Sequence, residues 1–584
     1  MSKASPVALA GWRGRLLNVD LTRRQSWVET IPDDMLHDYI GGRGLGVRLM
    51  RDTYQLDPFA ADMPLIFAGG PLCGTTSPAT ARLSVVSRSP LTGTIHASSC
   101  GGALAWQLKA AGYDALNITG ASPSPVILSI VNDQVQIEPA AHLWGMTVSK
   151  TLAALKPVGA AALIGPAGEH QVLYANIITA EGSAAGRGGL GAVMGAKRLK
   201  GIQIVGDQPL VVADPAGVER GVDDVMRLLK ASPVIFGDLG FAEYGTPALI
   251  DLLAQRRMVP TNNFRKTFFA ETSRYAAPAL RRRYQPVSQG CHNCPIACKK
   301  ATRDQRRLPE HGSLSHFGAL LGISDPDSIV AACRLCNDLG MDTLSAAATL
   351  AAFSEASGEC VRAEGLQQWL QQIAMRQEDG DLLAQGAQRL TAARGCPQVA
   401  MTVKGLELPA YDPRGAYGMA LAYATSNRGA CHLGAYPLAH EVLRKPVASN
   451  RFDFAGKAWM NIVAENTHAV GDSLVTCRFV FLAAGLEEYA ALLAGVTGVD
   501  YTAAQLLAGG ERIWLTERYY NQINGFTSAD DMLPERFFQE PGSSGHGISV
   551  PPIDRQHFLD ERARYYRLRG LDERGHLPRH FWDN

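Results

Sequence analysis

Three cysteine residues stand close together in the segment Cys291-His-Asn-Cys294-Pro-Ile-Ala-Cys298. Thiolates at this spacing let one loop wrap a metal cluster, and a [4Fe-4S] cluster needs a fourth thiolate that often comes from far along the chain. Spacing alone leaves two interpretations open. It favours an iron–sulfur site with a remote fourth cysteine, and the alternative is a structural zinc loop completed by His292 or by a distant group.

A second cysteine pair, Cys333 and Cys336, also has two residues between its members. The pair lies in an apparent helix over residues 328–339, where a thiol usually behaves as a small apolar side chain. We therefore predict core packing for this pair rather than metal binding.

The glycine-rich segment 186–195, which includes Gly186 and Arg187, has the composition of an anion-binding loop. Glycines let backbone N–H groups approach an anion closely, and the guanidinium of an arginine can donate two hydrogen bonds to it. The segment does not match a Walker loop or a dinucleotide-binding spacing, and a purely structural turn remains the alternative. Further anion-compatible positions are Arg82, Gly101-Gly102 and Arg428-Gly429. The pattern predicts several loops that converge on one polyanionic cofactor.

The chain has the size and composition of a large globular enzyme. It contains 584 residues, of which 46% are hydrophobic and 19% charged. The formal net charge of +1 gives no reason to expect nucleic acid or an anionic membrane as the main partner, so we expect a small substrate. We find no run of apolar residues long enough to span a membrane and no signal-peptide core in residues 1–11. We expect a cytoplasmic protein whose 11 cysteines are reduced.

The secondary-structure pattern changes along the chain. Residues 12–205 carry short β-type runs, including a hairpin in which Asn132-Asp133 joins Val126–Val131 to 134–138. From about residue 213 the pattern is mainly helical, with a helix start at Thr246-Pro247 and helical stretches at 486–496 and 504–519. We predict an α+β fold with a β-rich base domain (1–210) followed by two mainly helical domains (211–405 and 406–584).

Several longer motifs resemble the aldehyde ferredoxin oxidoreductase family, and the resemblance runs over nearly the whole chain. The matching segments are Gly41-Gly-Arg-Gly-Leu-Gly46, Ser89-Pro90-Leu-Thr-Gly93, Ala111-Gly112-Tyr113-Asp114, Ile164-Gly165-Pro166-Ala167-Gly168-Glu169, 184–195, 408–415 and Asn427-Arg428-Gly429. The resemblance implies a β base on which two pterins hold tungsten or molybdenum, covered by two helical domains that carry an iron–sulfur cluster.

The resemblance also assigns residues to these groups. Cys291, Cys294 and Cys298 are implied as three ligands of a [4Fe-4S] cluster, and Cys477 as the fourth. The implied pterin contacts are Arg82, Gly101, Gly186, Arg187, Asp342, Arg428, Gly429 and Asp472. The guanidinium of an arginine can donate two hydrogen bonds to a pterin phosphate. The carboxylates of Asp342 and Asp472 can accept hydrogen bonds from the amino and imino groups of the pterin ring. The metal itself is expected to be bound by cofactor sulfur atoms and not by the protein.

The sequence departs from the family pattern at some pterin-binding positions. Asn337 replaces the leading Asp of the first pterin motif, and Val475-Thr476 replaces the usual Gly-Leu of the second. Gly434 stands where the family has a pterin-contacting lysine.

A further departure concerns subunit contacts. Ala331 and Arg334 occupy the positions of a Glu-x-x-His that binds a bridging iron in some members. Neither side chain can bind iron, so we expect a homo- or hetero-oligomer, if any, without the bridging iron site.

The catalytic positions also differ. Gly312 aligns with the glutamate proposed for aldehyde oxidation in the family, and the adjacent Glu310 or His311 can take over that role if it reaches the substrate. His432 retains the second catalytic position. Taken without the family, His432 is equally well a core histidine, and Glu310 is more typical of a solvated loop carboxylate.

These observations lead to three functional hypotheses. The first is oxidation of an aldehyde, including an aldose sugar, to the carboxylic acid, with electrons leaving through the cluster to a ferredoxin or a small iron–sulfur subunit. The second is low-potential reduction of an aromatic acyl thioester on the same cofactor. The third is a non-catalytic protein that holds the cofactor or transfers electrons.

Overall fold

The structure is a computed structural model that describes residues 10–578 and residue 581. The expectation that residues 1–11 lack a signal-peptide core therefore lies almost entirely outside the described residues. The same holds for the outermost ends of the predicted first and third domains.

The first part of the chain forms two large mixed β-sheets. In chain order, their strands are β1 (Arg15–Asp20), β2 (Gln25–Thr30), β3 (Leu65–Ala68), β4 (Arg82–Arg88), β5 (Ile95–Gly101), β6 (Ala115–Thr119), β7 (Val126–Val131), β8 (Gln134–Pro139), β9 (Ala160–Leu163), β10 (Ile177–Thr179), β11 (Ala184–Ala185) and β12 (Leu199–Val205). Two short ribbons pair β13 (Val287–Gln289) with β14 (Lys299–Ala301) and β15 (Thr402–Val403) with β16 (Leu406–Glu407).

Each large sheet has six strands among the described residues. The order is β2-β1-β6-β3-β4-β5 in the first and β11-β10-β9-β12-β7-β8 in the second. Each sheet contains one parallel pair, β1 with β6 and β7 with β12, and its other pairs are antiparallel. The predicted hairpin is confirmed: β7 and β8 pair across Asn132-Asp133, and Asn132 takes a positive φ of 54°.

The base is held together by apolar residues on both faces of the first sheet. Leu17 and Val19 of β1 point into a core shared with the second sheet, whereas Leu16 points to the opposite face. On that opposite face, the first sheet packs against the helix at residues 42–49. This alternation follows from the two-residue period of a strand.

The rest of the chain is mainly helical, which confirms the α+β fold class. In chain order, the α-helices are α1 (Asp33–Tyr39), α2 (Gly42–Leu49), α3 (Leu104–Ala110), α4 (Val148–Leu155), α5 (Pro166–Glu169), α6 (Leu190–Ala196), α7 (Pro215–Ala231), α8 (Pro233–Phe236), α9 (Phe241–Tyr244), α10 (Leu249–Gln255), α11 (Ala277–Tyr284), α12 (His311–Phe317), α13 (Pro326–Leu339), α14 (Thr343–Ser357), α15 (Leu366–Met375), α16 (Gly380–Leu383), α17 (Ala387–Ala393), α18 (Tyr417–Thr425), α19 (Leu438–Glu441), α20 (Lys457–Ser473), α21 (Leu486–Thr497), α22 (Ala503–Ile523), α23 (Arg536–Gln539) and α24 (Arg555–Leu568). No described helix is both long and apolar enough to cross a membrane.

The helices form two apolar cores. One core joins α12, α13, α14 and α15, and the buried Cys333 and Cys336 of α13 lie within it, as the sequence predicted. The other joins α18, α20, α21, α22 and α24, and it also includes α7, which packs against α21.

A buried ion pair fastens the base to the second helical core. The guanidinium of Arg43, in α2, donates to both carboxylate oxygens of Glu517, in α22, at 2.7 Å each. Both side chains are almost completely buried. This two-bond geometry fixes α22 against the base.

Candidate cofactor and metal centre

The cluster loop, residues 291–298, is held between β13 and β14. These strands pair antiparallel, with Gln289 opposite Lys299, so the two ends of the loop are brought together. Within the loop, the backbone N–H of Cys294 donates to the carbonyl of Cys291 at 3.1 Å. The closed ribbon and this turn gather the three thiols of the loop into one region.

Cys477 approaches the cluster loop from a distant part of the chain. It follows α20, and its backbone N–H donates to the carbonyl of Ala79 at 2.8 Å. The N–H of Ala79 donates in turn to the carbonyl of Asn293, within the cluster loop, at 3.5 Å. Ala79 therefore joins the segment that carries Cys477 to the loop that carries the other three cysteines.

Besides burial, negative charge on neighbouring thiols raises the pKa of Cys294, Cys298 and Cys477, so these side chains lie close to one another and to Cys291. Burial raises the pKa of Cys294 to about 11, and negative charge at Cys477 and Cys291 adds to this effect. Burial also raises the pKa of Cys298 and of Cys477. Four thiolates in this arrangement are stabilised by a positively charged core between them, so the donor set fits an iron–sulfur cluster. Within residues 10–578, no three His, Cys, Asp or Glu side chains are gathered closely enough to hold a single metal ion.

Gly101 allows the first sheet to approach the cluster loop. It ends β5, and a Cβ atom at this position would overlap the Sγ atom of Cys291. Arg82 lies directly opposite Gly101 in the register of β4 and β5. The predicted cofactor residues Arg82 and Gly101 are therefore adjacent to the predicted cluster.

Several arginines are gathered around the carboxylate of Asp472. Arg478 forms an ion pair with Asp472. Burial alone would raise the pKa of Asp472, but Arg478, Arg43, Arg428 and Arg82 together hold it below its usual value. The Oδ1 atom of Asp472 has no hydrogen-bond partner in the part of the chain that the structure describes. Partly buried cations that share one carboxylate fit an additional anion, because charges removed from water are normally paired.

Arg187 ties the glycine-rich loop to the helical part of the chain. Its Nε lies 3.1 Å from Oδ2 of Asp342, and its Nη atoms donate to the carbonyls of Ala430 at 2.9 Å and Glu407 at 2.7 Å. Asp342 also caps α14, where its Oδ1 accepts from the backbone N–H of Leu344 at 3.0 Å. The predicted cofactor residues Arg187 and Asp342 are thus brought together and already bond to each other.

The predicted glycines have different surroundings. A Cβ atom at Gly186 would meet Ala184 at 3.7 Å, which is an ordinary contact, so space beside this residue is open to a bound group. A Cβ atom at Gly429 would lie 2.6 Å from the carbonyl of Val403. Gly429 is therefore required by close packing against β15, whether or not it also contacts a cofactor.

His96 lies beneath the glycine-rich loop with a completely buried ring. Neither ring nitrogen has a hydrogen-bond partner among the described residues. Gly188, at φ +90°, covers the ring, and a Cβ atom there would lie 2.5 Å from it. Burial, followed by the charges of Arg428 and Arg187, lowers the pKa of His96 well below its usual value. An unpaired neutral imidazole among arginines fits a site that a polar cofactor completes.

The catalytic candidates His311 and His432 both contact the ring of Tyr411. The ring centroids are 5.0 Å apart for His311 and 5.3 Å apart for His432. Burial lowers the pKa of His311 to about 3, and burial followed by the charge of Arg187 lowers the pKa of His432 well below its usual value. Both rings are therefore neutral near pH 7. Each has one nitrogen without a hydrogen-bond partner among residues 10–578.

Glu310, the third catalytic candidate, is placed differently. It is exposed at the residue that precedes α12, and burial followed by the charge of Glu310 raises the pKa of the nearby Cys298. The structure thus brings His311 and His432 together on Tyr411 and leaves Glu310 at the surface near the thiols.

Sequence reasoning did not identify several residues of this region as site residues. They are His96, Tyr411, Tyr436 and Arg478. Tyr411 lies in the segment 408–415 that carried the family resemblance, and its hydroxyl is hydrogen-bonded to that of Tyr436. A signal was available for Arg478, which directly follows Cys477.

A β base covered by helices, with four converging thiols beside partly buried arginines, fits an oxidoreductase that holds a redox cofactor. The N-terminal domain model of the aldehyde ferredoxin oxidoreductases matches residues 16–206, and the model of domains 2 and 3 matches residues 220–582. The chain therefore belongs to the aldehyde ferredoxin oxidoreductase family, and it is an oxidoreductase of this kind.

Individual relatives cover the chain almost completely. It is 36% identical to the tungsten-containing aldehyde ferredoxin oxidoreductase of Pyrococcus furiosus and 36% identical to that of Thermococcus kodakarensis, in each case over 97% of both chains. Among solved structures, the active-site complex BamBC of benzoyl coenzyme A reductase with 1,5-dienoyl-CoA superposes with a TM-score of 0.84, over 98% of this chain and 97% of that chain. At 22% identity, this likeness shows the fold alone.

Proposed function

We propose that this protein oxidises an aldehyde, including the aldehyde form of an aldose, to the carboxylic acid. Water supplies the added oxygen, and the reaction releases two protons and two electrons. The electrons leave one at a time through a [4Fe-4S] cluster on Cys291, Cys294, Cys298 and Cys477 to a ferredoxin or a small iron–sulfur subunit. The family membership and the converging thiols support this proposal.

The proposed metal is tungsten or molybdenum, held by two pterins. The named relatives are tungsten-containing, and the residues that would hold the pterins are Arg82, Gly101, Gly186, Arg187, Asp342, Arg428, Gly429 and Asp472. When bound, this group supplies a centre that accepts two electrons from the substrate. The partly buried arginines would neutralise its negative charge.

The observation that carries the proposal is that His311 and His432 both contact the buried ring of Tyr411. Burial lowers the pKa of both histidines, so each ring is neutral near pH 7 and has a free nitrogen lone pair. Each is a weak base in this state, and a bound anionic group beside it would raise its pKa toward the range that general-base catalysis needs. His432 would accept the proton from the attacking water. His311 would replace the carboxylate that Gly312 lacks, with Tyr411 fixing its orientation.

A second candidate function is reduction of an aromatic acyl thioester, which takes up two electrons and two protons. Gly312 offers no carboxylate at the position proposed for aldehyde oxidation, and a reduction does not require that base. This candidate rests on that one departure from the family pattern.

The test uses protein purified without oxygen. Elemental analysis and release of pterin on denaturation establish the cofactor, and reduction of a viologen dye is then screened over aldehydes and aldoses. Aldehyde-dependent dye reduction supports the first function. Turnover of an aryl-CoA ester with a strong reductant, without aldehyde activity, supports the second, and a fully loaded protein without either activity contradicts both.

A further inference from the structure

Tyr436 lies in the loop after α18 and contacts both the proposed base and the tyrosine beside it. The ring of Tyr436 meets the ring of Tyr411 edge-on, with the centroids 6.1 Å apart and the planes inclined by 80°. The ring of His432 lies 6.3 Å away in a tilted contact. Tyr436 therefore belongs to the same group of rings as the proposed proton acceptors, and the proposed function gives it no role.

The backbone of Tyr436 adopts a conformation that a tyrosine rarely takes. Its φ is +51°, in the left-handed region, and a residue keeps such a conformation only where its surroundings hold it. The carbonyl of Tyr436 accepts from the backbone N–H of Ala439, in α19, at 3.2 Å. In the same helix, the carboxylate of Glu441 accepts from the N–H of Gly418, in α18, at 2.8 Å. The strained turn is thus fixed to α18, and strain of this kind concentrates at functional sites.

Part of Tyr436 is accessible although the residue lies inside the protein. Its neighbours in the chain, Ala435 and Pro437, are buried, whereas Tyr436 and the segment 432–434 are partly exposed. Burial is nevertheless the main cause of the raised pKa of Tyr436 and of the lowered pKa of His432. The accessible surface of these two residues therefore faces a recess inside the protein.

The hydroxyls of Tyr411 and Tyr436 share one hydrogen bond and have one further O–H between them. Burial raises the pKa of both residues, and the hydrogen bond that joins them also affects each pKa. Both hydroxyls are therefore protonated near pH 7. In a bond between two hydroxyls, one donates and the other keeps its own O–H for a further acceptor. Tyr411 is buried and Tyr436 is partly exposed, so the O–H that remains for a ligand is that of Tyr436.

We propose that Tyr436 donates a hydrogen bond from its hydroxyl to the oxygen of the substrate's aldehyde group, beside His432. The inference rests on the proposed function and adds a substrate-binding residue to it. When water adds to the carbonyl carbon, the proton of that water passes to His432 and negative charge develops on the aldehyde oxygen. A fixed O–H donor at that oxygen stabilises the developing charge. The bond to Tyr411 orients the hydroxyl of Tyr436 for this contact.

The test removes the hydroxyl of Tyr436 and keeps its ring. Full-length protein is purified without oxygen as the wild type, Tyr436→Phe and Tyr411→Phe. Tyr284→Phe is the matched control, because the hydroxyl of Tyr284 bonds to Asp327 at the surface. Oxidation of benzaldehyde is followed by dye reduction, and binding of benzoate, the carboxylate product, is measured by calorimetry without an electron acceptor. Both quantities are expressed per pterin-loaded site, so that a partly loaded variant still gives a result.

We expect Tyr436→Phe to lower kcat about a hundredfold and to weaken benzoate binding about tenfold, because a donor to the substrate oxygen is lost. Tyr411→Phe should have a smaller effect on both, since it leaves the O–H of Tyr436 in place, and Tyr284→Phe should match the wild type.

Equal losses in Tyr436→Phe and Tyr411→Phe would overturn the inference, because Tyr436 would then act only through Tyr411. Unchanged kcat and benzoate binding in Tyr436→Phe would overturn it as well. A wild type that binds benzoate through the hydroxyl of Tyr436 but oxidises no aldehyde would support the binding residue and contradict the proposed function.

Discussion

The imidazole of His311 stacks on the ring of Tyr411, with centroids 5.0 Å apart and planes inclined by 26°. On the same tyrosine, His432 makes a tilted contact, so one buried aromatic ring positions both proposed proton acceptors. The two histidines come from segments more than 100 residues apart in the chain. Tyr411 therefore packs between the start of α12, which carries His311, and the loop after α18, which carries His432.

We expect His432→Asn to lower kcat for aldehyde oxidation by about a hundredfold or more, because general acid–base catalysis contributes at least that factor. Asparagine keeps a hydrogen-bonding group but cannot accept the proton. Steady-state dye reduction measures the effect, with pterin and iron content checked in the same samples. His557→Asn, at an exposed position, is the matched control. Full activity in His432→Asn would exclude His432 as the base.

We expect His311→Phe to reduce kcat and to leave metal and pterin content unchanged, since phenylalanine can stack on Tyr411 but cannot carry a proton. Glu310→Gln should have a much smaller effect, because Glu310 is exposed. Comparing the two variants by dye reduction distinguishes the two sequence-level candidates. A larger loss in Glu310→Gln would assign the role to the carboxylate.

The stability of the protein should fall as the pH is lowered below about 6.5, the usual pKa of an unfolded histidine. Burial lowers the pKa of His311 and His468 to about 3 and that of His316 to about 4. Between these values and 6.5 the unfolded chain binds more protons than the folded chain, so the free energy of unfolding rises with pH. Urea unfolding of His311→Phe at pH 5 and pH 7 should show a smaller difference than the wild type. An unchanged difference would contradict the low pKa of His311.

Gly101→Ala should release the iron–sulfur cluster or prevent its insertion, because the added Cβ atom would overlap the Sγ of Cys291. Iron content and the visible absorption of the cluster measure this effect. Gly69→Ala is a matched control, since a Cβ atom there would meet its nearest neighbours at 3.7 Å. Retention of the full iron content in Gly101→Ala would show that the cluster loop does not approach β5 this closely.

Glu517→Gln should lower the free energy of unfolding by about 2 kcal/mol, because it removes the two charge-assisted hydrogen bonds of Arg43 and leaves only the more distant Asp472, at 3.7 Å, as its ion-pair partner. The exposed pair of Asp38 and Arg512 provides the comparison, and Arg512→Gln should cost less than about 1 kcal/mol. Denaturant unfolding of the two variants tests both values. Equal effects would mean that the Arg43–Glu517 pair does not fasten α22 to the base.

The sequence allowed the fold class and several individual elements to be predicted, because those depend on local periodicity. The hairpin at Asn132-Asp133 and the helix that follows Thr246-Pro247 are examples. The cluster loop was evident from cysteine spacing, whereas Cys477 was assigned only through the family resemblance. No local pattern could reveal the contacts of Tyr411 or the unpaired ring of His96, since these depend on how remote segments pack.

The hydrogen bonds of Ala79 have a consequence for biosynthesis. They connect the base, the cluster loop and the segment of Cys477, so the four thiols can meet only after α20 has left the ribosome and docked. Iron would then be delivered only after Cys477 has been synthesised and its segment has packed against the base. Occupancy of the proposed cluster would thereby report that these three segments have packed together.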